Sequence, residues 1–220
     1  MTSGRSSGST RSKGGPAMRK KLLLEKLSAA FPLAERDAGE FSRFELAGTP
    51  FRTRCWDAKG LGNVSFMVAE LPVAAMEMTS IIVNPFEVDA PLLSLDRVKV
   101  LNRDSLYMEL YDTCLEPQRK EERFLSVKEK YSGLADLPQG RNWYDGIRYG
   151  SSVLKGVFEE ESEKLDDCVK EFFDAYCELL QSSSPCDVRA KKEKAQAYSD
   201  GLLENGGPAV NNFLKVWGKE

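Results

Sequence analysis

The sequence predicts an α+β fold, in which one antiparallel β-sheet is followed along the chain by most of the helices that cover it. Two observations lead to this prediction. Six strand-like segments lie between residues 41 and 111 and are joined by short, turn-like connections, as in an antiparallel meander. From residue 117 onward the apolar residues follow a helical period instead. A chain of 220 residues is long enough to bury a substantial core in such a fold.

One helix is expected ahead of the sheet, over Met18–Phe31. Leu23, Leu27 and Phe31 share one helical face, and Pro32 cannot continue the helix. The predicted strands follow at Phe41–Leu46, Phe51–Trp56, Val64–Leu71, Met76–Val83, Leu92–Val100 and Ser105–Tyr111.

Three helical segments come after the strands. Pro117 stands where the first of them is expected to begin, and this helix continues to Tyr131. A long amphipathic helix is predicted from Phe158 to Leu180, with an acidic run at its start that suits the helix dipole. Asp187 is a suitable N-cap for a further helix to about Leu203. We interpret the basic residues near position 190 as the solvated face of that helix.

The first 17 residues differ from the rest of the chain. They are rich in Ser, Gly and basic residues and contain no acidic residue, so we expect a disordered basic tail over residues 1–17 and one domain over residues 18–220. An added tag, a plain basic tail and the remnant of an organelle transit sequence all fit this composition.

The composition excludes several function classes. The chain has no histidine, which rules out Ser–His–Asp and Cys–His nucleophile systems and histidine metal sites. Five cysteines without a C-x-x-C pair argue against a zinc site and a disulfide framework, and for a reducing compartment such as the cytoplasm or the plastid stroma. A net charge of −3 gives no basic footprint for nucleic acid. No apolar run approaches the ~20 residues of a membrane-spanning helix.

Asp96 is the candidate catalytic residue. Alternation along the strand Leu92–Val100 places it on the same face as Val98 and Val100. Burial on an apolar face would raise the pKa of its carboxyl group toward neutrality and make it a proton donor at physiological pH. Alternatively, Asp96 is a structural carboxylate at the solvent-exposed end of the strand or in an ion pair. The candidate partners for such a pair are Arg52, Arg54 and Arg103.

A longer pattern extends over two stretches of the chain. Pro85, Asp89, Pro91 and Asp96 follow one another as a proline, an acid-x-proline loop, a hydrophobic pair and an aspartate. Residues 197–218 place a tyrosine-bearing helix ahead of a final F-x-x-x-W-G element. In these features the chain resembles the ferredoxin-dependent bilin reductases, which include the phycobilin and phytochromobilin synthases, as a divergent member.

The resemblance implies a three-layer α/β/α sandwich around a central antiparallel sheet. It also implies an enzyme that reduces a linear tetrapyrrole such as biliverdin, held between the sheet and the C-terminal helices. Such an enzyme has no permanently bound cofactor. Reduced [2Fe-2S] ferredoxin would deliver single electrons, and Asp96 would donate the proton. We expect a monomer.

The chain departs from the family at two positions. Ser80 stands where the family has His or Asn, and Gly207 stands where many members have a second aspartate, with Asn205 as its nearest polar neighbour. These three residues and Asp89 of the acid-x-proline loop are the predicted substrate contacts. Without the second acid, the resemblance implies a single two-electron reduction. It leaves open a non-catalytic bilin-binding or pigment-complex scaffold protein, and a plain α+β interaction protein is a third alternative.

An electron donor must dock near the pocket if the protein is an enzyme. We therefore expect a local basic patch around the site despite the acidic total charge. The candidate residues are Arg97, Lys99, Arg103 and Lys155.

Overall fold

An eight-stranded antiparallel sheet forms the centre of the structure, a computed structural model that describes residues 16–46, 48–116 and 121–206. The strands lie in the order β1-β3-β4-β5-β6-β7-β8, and β2 also pairs with β3. Strands β3 to β7 are neighbours both in the chain and in the sheet, so the predicted meander is confirmed. The strands are β1 (Leu33–Arg36), β2 (Arg43–Leu46), β3 (Thr49–Ala58), β4 (Gly62–Leu71), β5 (Met76–Pro85), β6 (Leu92–Val100), β7 (Arg103–Tyr111) and β8 (Val153–Phe158).

In the described part of the chain, four α-helices accompany the sheet: α1 (Pro16–Ala30), α2 (Glu122–Lys130), α3 (Ser162–Ser182) and α4 (Val188–Asn205). Within the described ranges, no helix is long and apolar enough to cross a membrane. Helix α1 includes the last two residues of the predicted tail, whereas residues 1–15 and Pro117 lie outside the described residues. Helix α4 has the predicted N-cap, because Oδ1 of Asp187 accepts hydrogen bonds from the backbone N–H groups of Arg189 (2.9 Å) and Ala190 (3.1 Å).

Strands β1 and β8 are absent from the sequence prediction. Phe158 ends β8, and the prediction that it begins the long helix is wrong: α3 starts at Ser162, after a short 3-10 turn over Glu159–Glu161. Strand β8 pairs with β7, so a distant segment of the chain satisfies its backbone hydrogen bonds. A six-residue strand stabilised in this way leaves little local periodicity in the sequence.

One face of the sheet, the covered face, packs against α1, α2 and α3. Phe66, Ile81 and Leu95 lie opposite one another on adjacent strands and are almost fully buried. They belong to one core cluster with Leu27 of α1 and Phe172 of α3. Burial of these large apolar side chains supplies the main favourable free energy of this packing.

The opposite face, the site face, contains Asp96 and is covered at one end by α4 and the 3-10 turn Trp143–Gly146. Tyr111 packs there against Tyr144 and Tyr198, with ring centroids 5.6 Å and 4.6 Å away. Trp143 Nε1 donates a hydrogen bond to the carbonyl oxygen of Gly206, just beyond the end of α4 (2.9 Å). Helices therefore pack on both faces, and the three-layer α/β/α prediction is confirmed.

Lys191 anchors α4 to the sheet. Its ammonium group is fully buried and donates to the carbonyl oxygens of Ala90 (2.7 Å) and Thr113 (2.8 Å) and to the hydroxyl of Thr113 (2.9 Å). All three donors of this ammonium have acceptors. The interpretation of the basic residues near position 190 as a solvated face is therefore wrong for Lys191. Burial lowers the pKa of its ammonium group.

Candidate active site

Three polar side chains form a row across the middle of the site face. Strand pairing places Ser80 of β5 and Tyr107 of β7 directly opposite Asp96 of β6, one on each side. Side chains of directly opposed residues point to the same face of a sheet, with Cβ atoms about 4.5–5.5 Å apart. Ser80 forms a hydrogen bond with the carboxyl group of Asp96.

The carboxyl group of Asp96 is adapted to hold a proton. Burial raises its pKa to about 6, against hydrogen bonds from Ser80 and Ser94 that favour the ionised form. The nearby carboxylate of Glu109 also raises the pKa. With such a pKa, a carboxylic acid keeps its proton in about one molecule in ten at pH 7, so it can act as a general acid there.

The alternative of a structural ion pair at Asp96 finds no support in the described part of the chain. Arg54 pairs with Glu35, and Arg52 lies 3.7 Å from Glu70. The guanidinium of Arg103 lies over the ring of Phe158, 4.3 Å from its centroid.

A buried polar group lies beside this row, and the sequence prediction did not include it. Glu109 faces Ser94 across the β6–β7 pair, so it is a diagonal neighbour of Asp96. Its carboxylate accepts a hydrogen bond from Nη1 of Arg148 at 2.8 Å and forms another with Tyr111. Alternation along β7 does place Glu109 on the same face as Tyr107 and Tyr111, so the sequence contained a signal for it.

Apolar side chains flank the row on the partly open site face, which also carries polar residues such as Ser65, Ser105 and Arg103. Strand register places Ile82, Val100 and Phe158 on this face, with 39%, 41% and 50% of their surface exposed. At the β3–β5 end, a satellite cluster adds flexible thioether side chains, which adapt to irregular shapes. Its members are Phe44, Leu46, Phe51, Met67, Ala69, Met76 and Met78. An apolar platform with a few convergent polar groups is the usual chemistry of a small-molecule site.

The other predicted contacts lie in different environments. Both carboxylate oxygens of Asp89 accept backbone hydrogen bonds, from Leu115 N–H at 2.8 Å and Glu116 N–H at 3.0 Å, so Asp89 organises the loop after β7. Asn205 is exposed at the end of α4 and donates to the carbonyl oxygen of Gly201 in its own helix (3.2 Å). Gly207 lies outside the described residues. Of the predicted contacts, Ser80 is the one that the structure joins to Asp96 by a hydrogen bond.

The predicted basic patch around Asp96 is wrong for three of its four candidate residues, whereas Arg103 lies on the site face with its guanidinium over the ring of Phe158. Alternation within β6 places Arg97 and Lys99 on the covered face, and strand pairing places Lys155 there as well. Arg97 and Lys155 are each about 2% exposed. Lys155 donates to the carbonyl oxygen of Leu134 (2.9 Å) and lies 2.8 Å from the carboxylate of Asp136, while Lys99 pairs with Glu159 at 2.9 Å. These ammonium and guanidinium groups hold the fold together rather than surround the site.

Comparison with known proteins shows the fold. No protein-family model matches the chain, and no curated protein matches its sequence. Among solved structures, phytochromobilin synthase from tomato, crystallised in complex with biliverdin, matches this chain with a TM-score of 0.74 at 13% sequence identity. The match covers 91% of this chain and 78% of the tomato chain. The central antiparallel sheet with helices packed on it is thus the bilin reductase fold.

The raised pKa of Asp96 predicts a stability effect. The folded protein binds this proton more tightly than the unfolded chain, whose carboxyl group has a pKa of about 3.9. Ionisation of Asp96 therefore does not lower the free energy of unfolding well below pH 4, where the carboxyl group is protonated in both states. The loss reaches its full value above pH 6. We expect Asp96→Asn to raise the free energy of unfolding by on the order of 2 kcal/mol at pH 8 and to leave it nearly unchanged at pH 4.

Urea unfolding of both proteins at the two pH values measures this difference. Asp57→Asn, which changes an exposed aspartate on β3, is the matched control and should show no such pH-dependent gain. An equal effect of Asp96→Asn at pH 4 and pH 8 would mean that burial does not disfavour the ionised form.

Proposed function

We propose that this protein binds a linear tetrapyrrole such as biliverdin against the site face and reduces one of its double bonds. Electrons would come from reduced ferredoxin and a proton from Asp96. The observation that supports the proposal is a half-buried carboxyl group with a pKa of about 6 on a sheet face where apolar residues flank it. The fold shared with a synthase that was crystallised with biliverdin supports the choice of ligand. The five free cysteines fit a reducing compartment, such as the cytoplasm or the plastid stroma.

The chemistry needs little from the protein beyond binding and proton supply. Reduction of one C=C bond consumes two electrons and two protons, and a one-electron donor delivers the electrons in two steps. Asp96 protonates the bound, reduced tetrapyrrole and is then reprotonated from solvent, since its face of the sheet is partly open. The Ser80 hydroxyl orients the Asp96 carboxyl group through their hydrogen bond. The apolar platform holds the flat conjugated ligand through dispersion and burial.

A non-catalytic bilin-binding protein is the second candidate, because three of the four residues expected to form a docking patch for an acidic electron donor lie on the covered face. Arg97 and Lys155 are buried in ion pairs on the covered face and cannot meet a partner protein. A carrier or scaffold needs the apolar platform and the row of polar groups, but no docking surface for ferredoxin.

An anaerobic titration separates the two candidates. The protein is first mixed with biliverdin, and binding is followed by the change in the visible absorption band. Chemically reduced plant-type ferredoxin is then added, and the product is separated by chromatography. Bovine serum albumin, which takes up apolar pigments without this fold, serves as the binding control.

Three outcomes are informative. A shifted absorption band followed by conversion of biliverdin to a product two electrons more reduced supports the enzyme. Stable binding without conversion supports the carrier. Absence of a shifted band at micromolar biliverdin contradicts both.

A further inference from the structure

Tyr107 occupies a place in the site that no known role accounts for. It lies directly opposite Asp96 on β7 and is half-buried on the site face. Because a tyrosine side chain is longer than that of aspartate, its hydroxyl reaches further above the sheet. A flat ligand in contact with the Asp96 carboxyl group therefore lies within reach of the Tyr107 hydroxyl.

The hydroxyl of Tyr107 also differs from those of most other tyrosines in the chain. Within the described ranges, it has no hydrogen-bond partner from the protein, so it is available to a ligand. By contrast, Tyr176 donates to the carbonyl oxygen of Pro91 (2.8 Å), and Tyr131 to Glu171 (2.9 Å). The hydroxyls of Tyr111, Tyr149 and Tyr198 also have protein partners.

The proposed reaction needs a second proton, and the chain has few groups that can supply it. The sequence contains no histidine, and a serine hydroxyl such as that of Ser80 is a poor proton donor. Burial raises the pKa of Tyr107, and the carboxylates of Glu109 and Asp96 raise it further. The phenol therefore stays protonated over the whole physiological range, whereas Asp96 loses its proton above about pH 6.

We propose that Tyr107 is the second proton donor of this site, a role that rests on the proposed tetrapyrrole reduction. The first electron and the proton of Asp96 convert the bound tetrapyrrole to a neutral radical. The second electron converts the radical to an anion, which takes the phenolic proton of Tyr107. Two electrons and two protons are then added across one double bond. The products on the protein side are one carboxylate and one phenolate, and both recover their protons from solvent.

The order of the two transfers follows from acid strength. The Asp96 carboxyl group is the stronger acid and protonates the less basic, singly reduced pigment. The doubly reduced anion is a stronger base and can take a proton from a phenol. Because phenolate is disfavoured beside the two carboxylates, its lifetime is short and the site resets quickly.

Tyr107→Phe tests this role, since it removes the hydroxyl and keeps the ring. We expect biliverdin binding and the thermal unfolding midpoint to match those of the wild type. Formation of the first radical, followed by electron paramagnetic resonance after addition of reduced ferredoxin, should also be unchanged. Decay of the radical to product should slow by about 100-fold, the usual contribution of a positioned acid. The matched control is Tyr131→Phe, which removes a hydroxyl that bonds to Glu171 of α3.

The outcomes separate this inference from the proposed function. If the wild type produces no reduced pigment, the proposed reduction fails and the role of Tyr107 fails with it. If the wild type and Tyr107→Phe convert the radical at equal rates, the second proton comes from another source and only the inference fails. Loss of biliverdin binding in Tyr107→Phe, with normal binding in Tyr131→Phe, would make the hydroxyl a binding contact and would also contradict the role in proton transfer.

Discussion

Asp96→Asn should bind biliverdin as the wild type does and lose its reduction by about 10²–10⁴-fold, the range of general-acid contributions. The amide has nearly the shape of the carboxyl group and can still bond to Ser80, but it has no transferable proton at physiological pH. Electron delivery does not depend on the acid, so an unprotonated pigment radical should accumulate. Anaerobic single-turnover absorption spectroscopy with reduced ferredoxin measures both the binding band and the radical.

Ser80→Ala provides the comparison for this variant. It removes one hydrogen bond to Asp96, which is worth about 1 kcal/mol, so the rate should fall by no more than about tenfold. The bond to Ser80 favours the ionised form of Asp96, so its loss should also move the descending limb of the pH–rate profile to higher pH. Wild-type turnover by Asp96→Asn would show that the proton comes from elsewhere.

Arg97→Ala should lower the free energy of unfolding by about 3–5 kcal/mol, because it removes the charge partner of the buried Asp104 carboxylate. The Arg97 guanidinium donates to both carboxylate oxygens of Asp104, at 2.9 Å and 2.7 Å, and pairs with Asp166 of α3. The side chains of Arg97 and Asp104 are only 1% and 2% exposed. A further bond runs from Arg97 to the carbonyl oxygen of Ser162 at the start of α3 (3.0 Å). This cluster of Arg97, Asp104 and Asp166, the Arg97 clamp, therefore ties β6 and β7 to α3.

Chemical denaturation measures this loss, and the chain offers a matched control. Arg54 pairs with Glu35 at the surface, where both side chains are about half exposed. Arg54→Ala should cost no more than about 1 kcal/mol, because solvent screens an exposed pair. The double change Arg97→Met with Asp104→Leu should recover part of the loss, since it removes both buried charges. A cost below about 1 kcal/mol for Arg97→Ala would mean that water reaches Asp104 in the folded state.

The clamp and the site are linked through β6. Asp96 and Arg97 are consecutive residues on opposite faces of the same strand, so the position of one constrains the other. On the covered face, the buried ion pair and its hydrogen bonds hold this strand against α3. On the site face, the same strand presents Asp96, the proposed proton donor. A rigid strand of this kind positions a catalytic group more precisely than a loop does.

Several features of the protein could be predicted from the sequence because they depend on local periodicity. The alternation of β6 placed Asp96 on one face and Arg97 and Lys99 on the other, and the structure agrees. The turn-like connections predicted the meander of β3 to β7, and a side-chain oxygen at Asp187 predicted the start of α4. Strand period, turn chemistry and helix capping act over a few residues, so they are visible in one dimension.

The features that the sequence did not reveal depend on contacts between distant residues. Strand β8 forms because it pairs with β7, about 50 residues earlier in the chain. Phe158 therefore belongs to this strand and not to the helix that the sequence predicted. Lys191 is buried because Ala90 and Thr113 offer it acceptors from two distant segments. Lys155 lies on the covered face with Arg97, two strands away, because β8 joins the sheet beside β7. Strand alternation in the sequence identified Asp96 as a residue that can hold a proton. Only the register placed Ser80, Asp96 and Tyr107 in one row, since strand pairing is determined by the burial of whole faces rather than by any short segment.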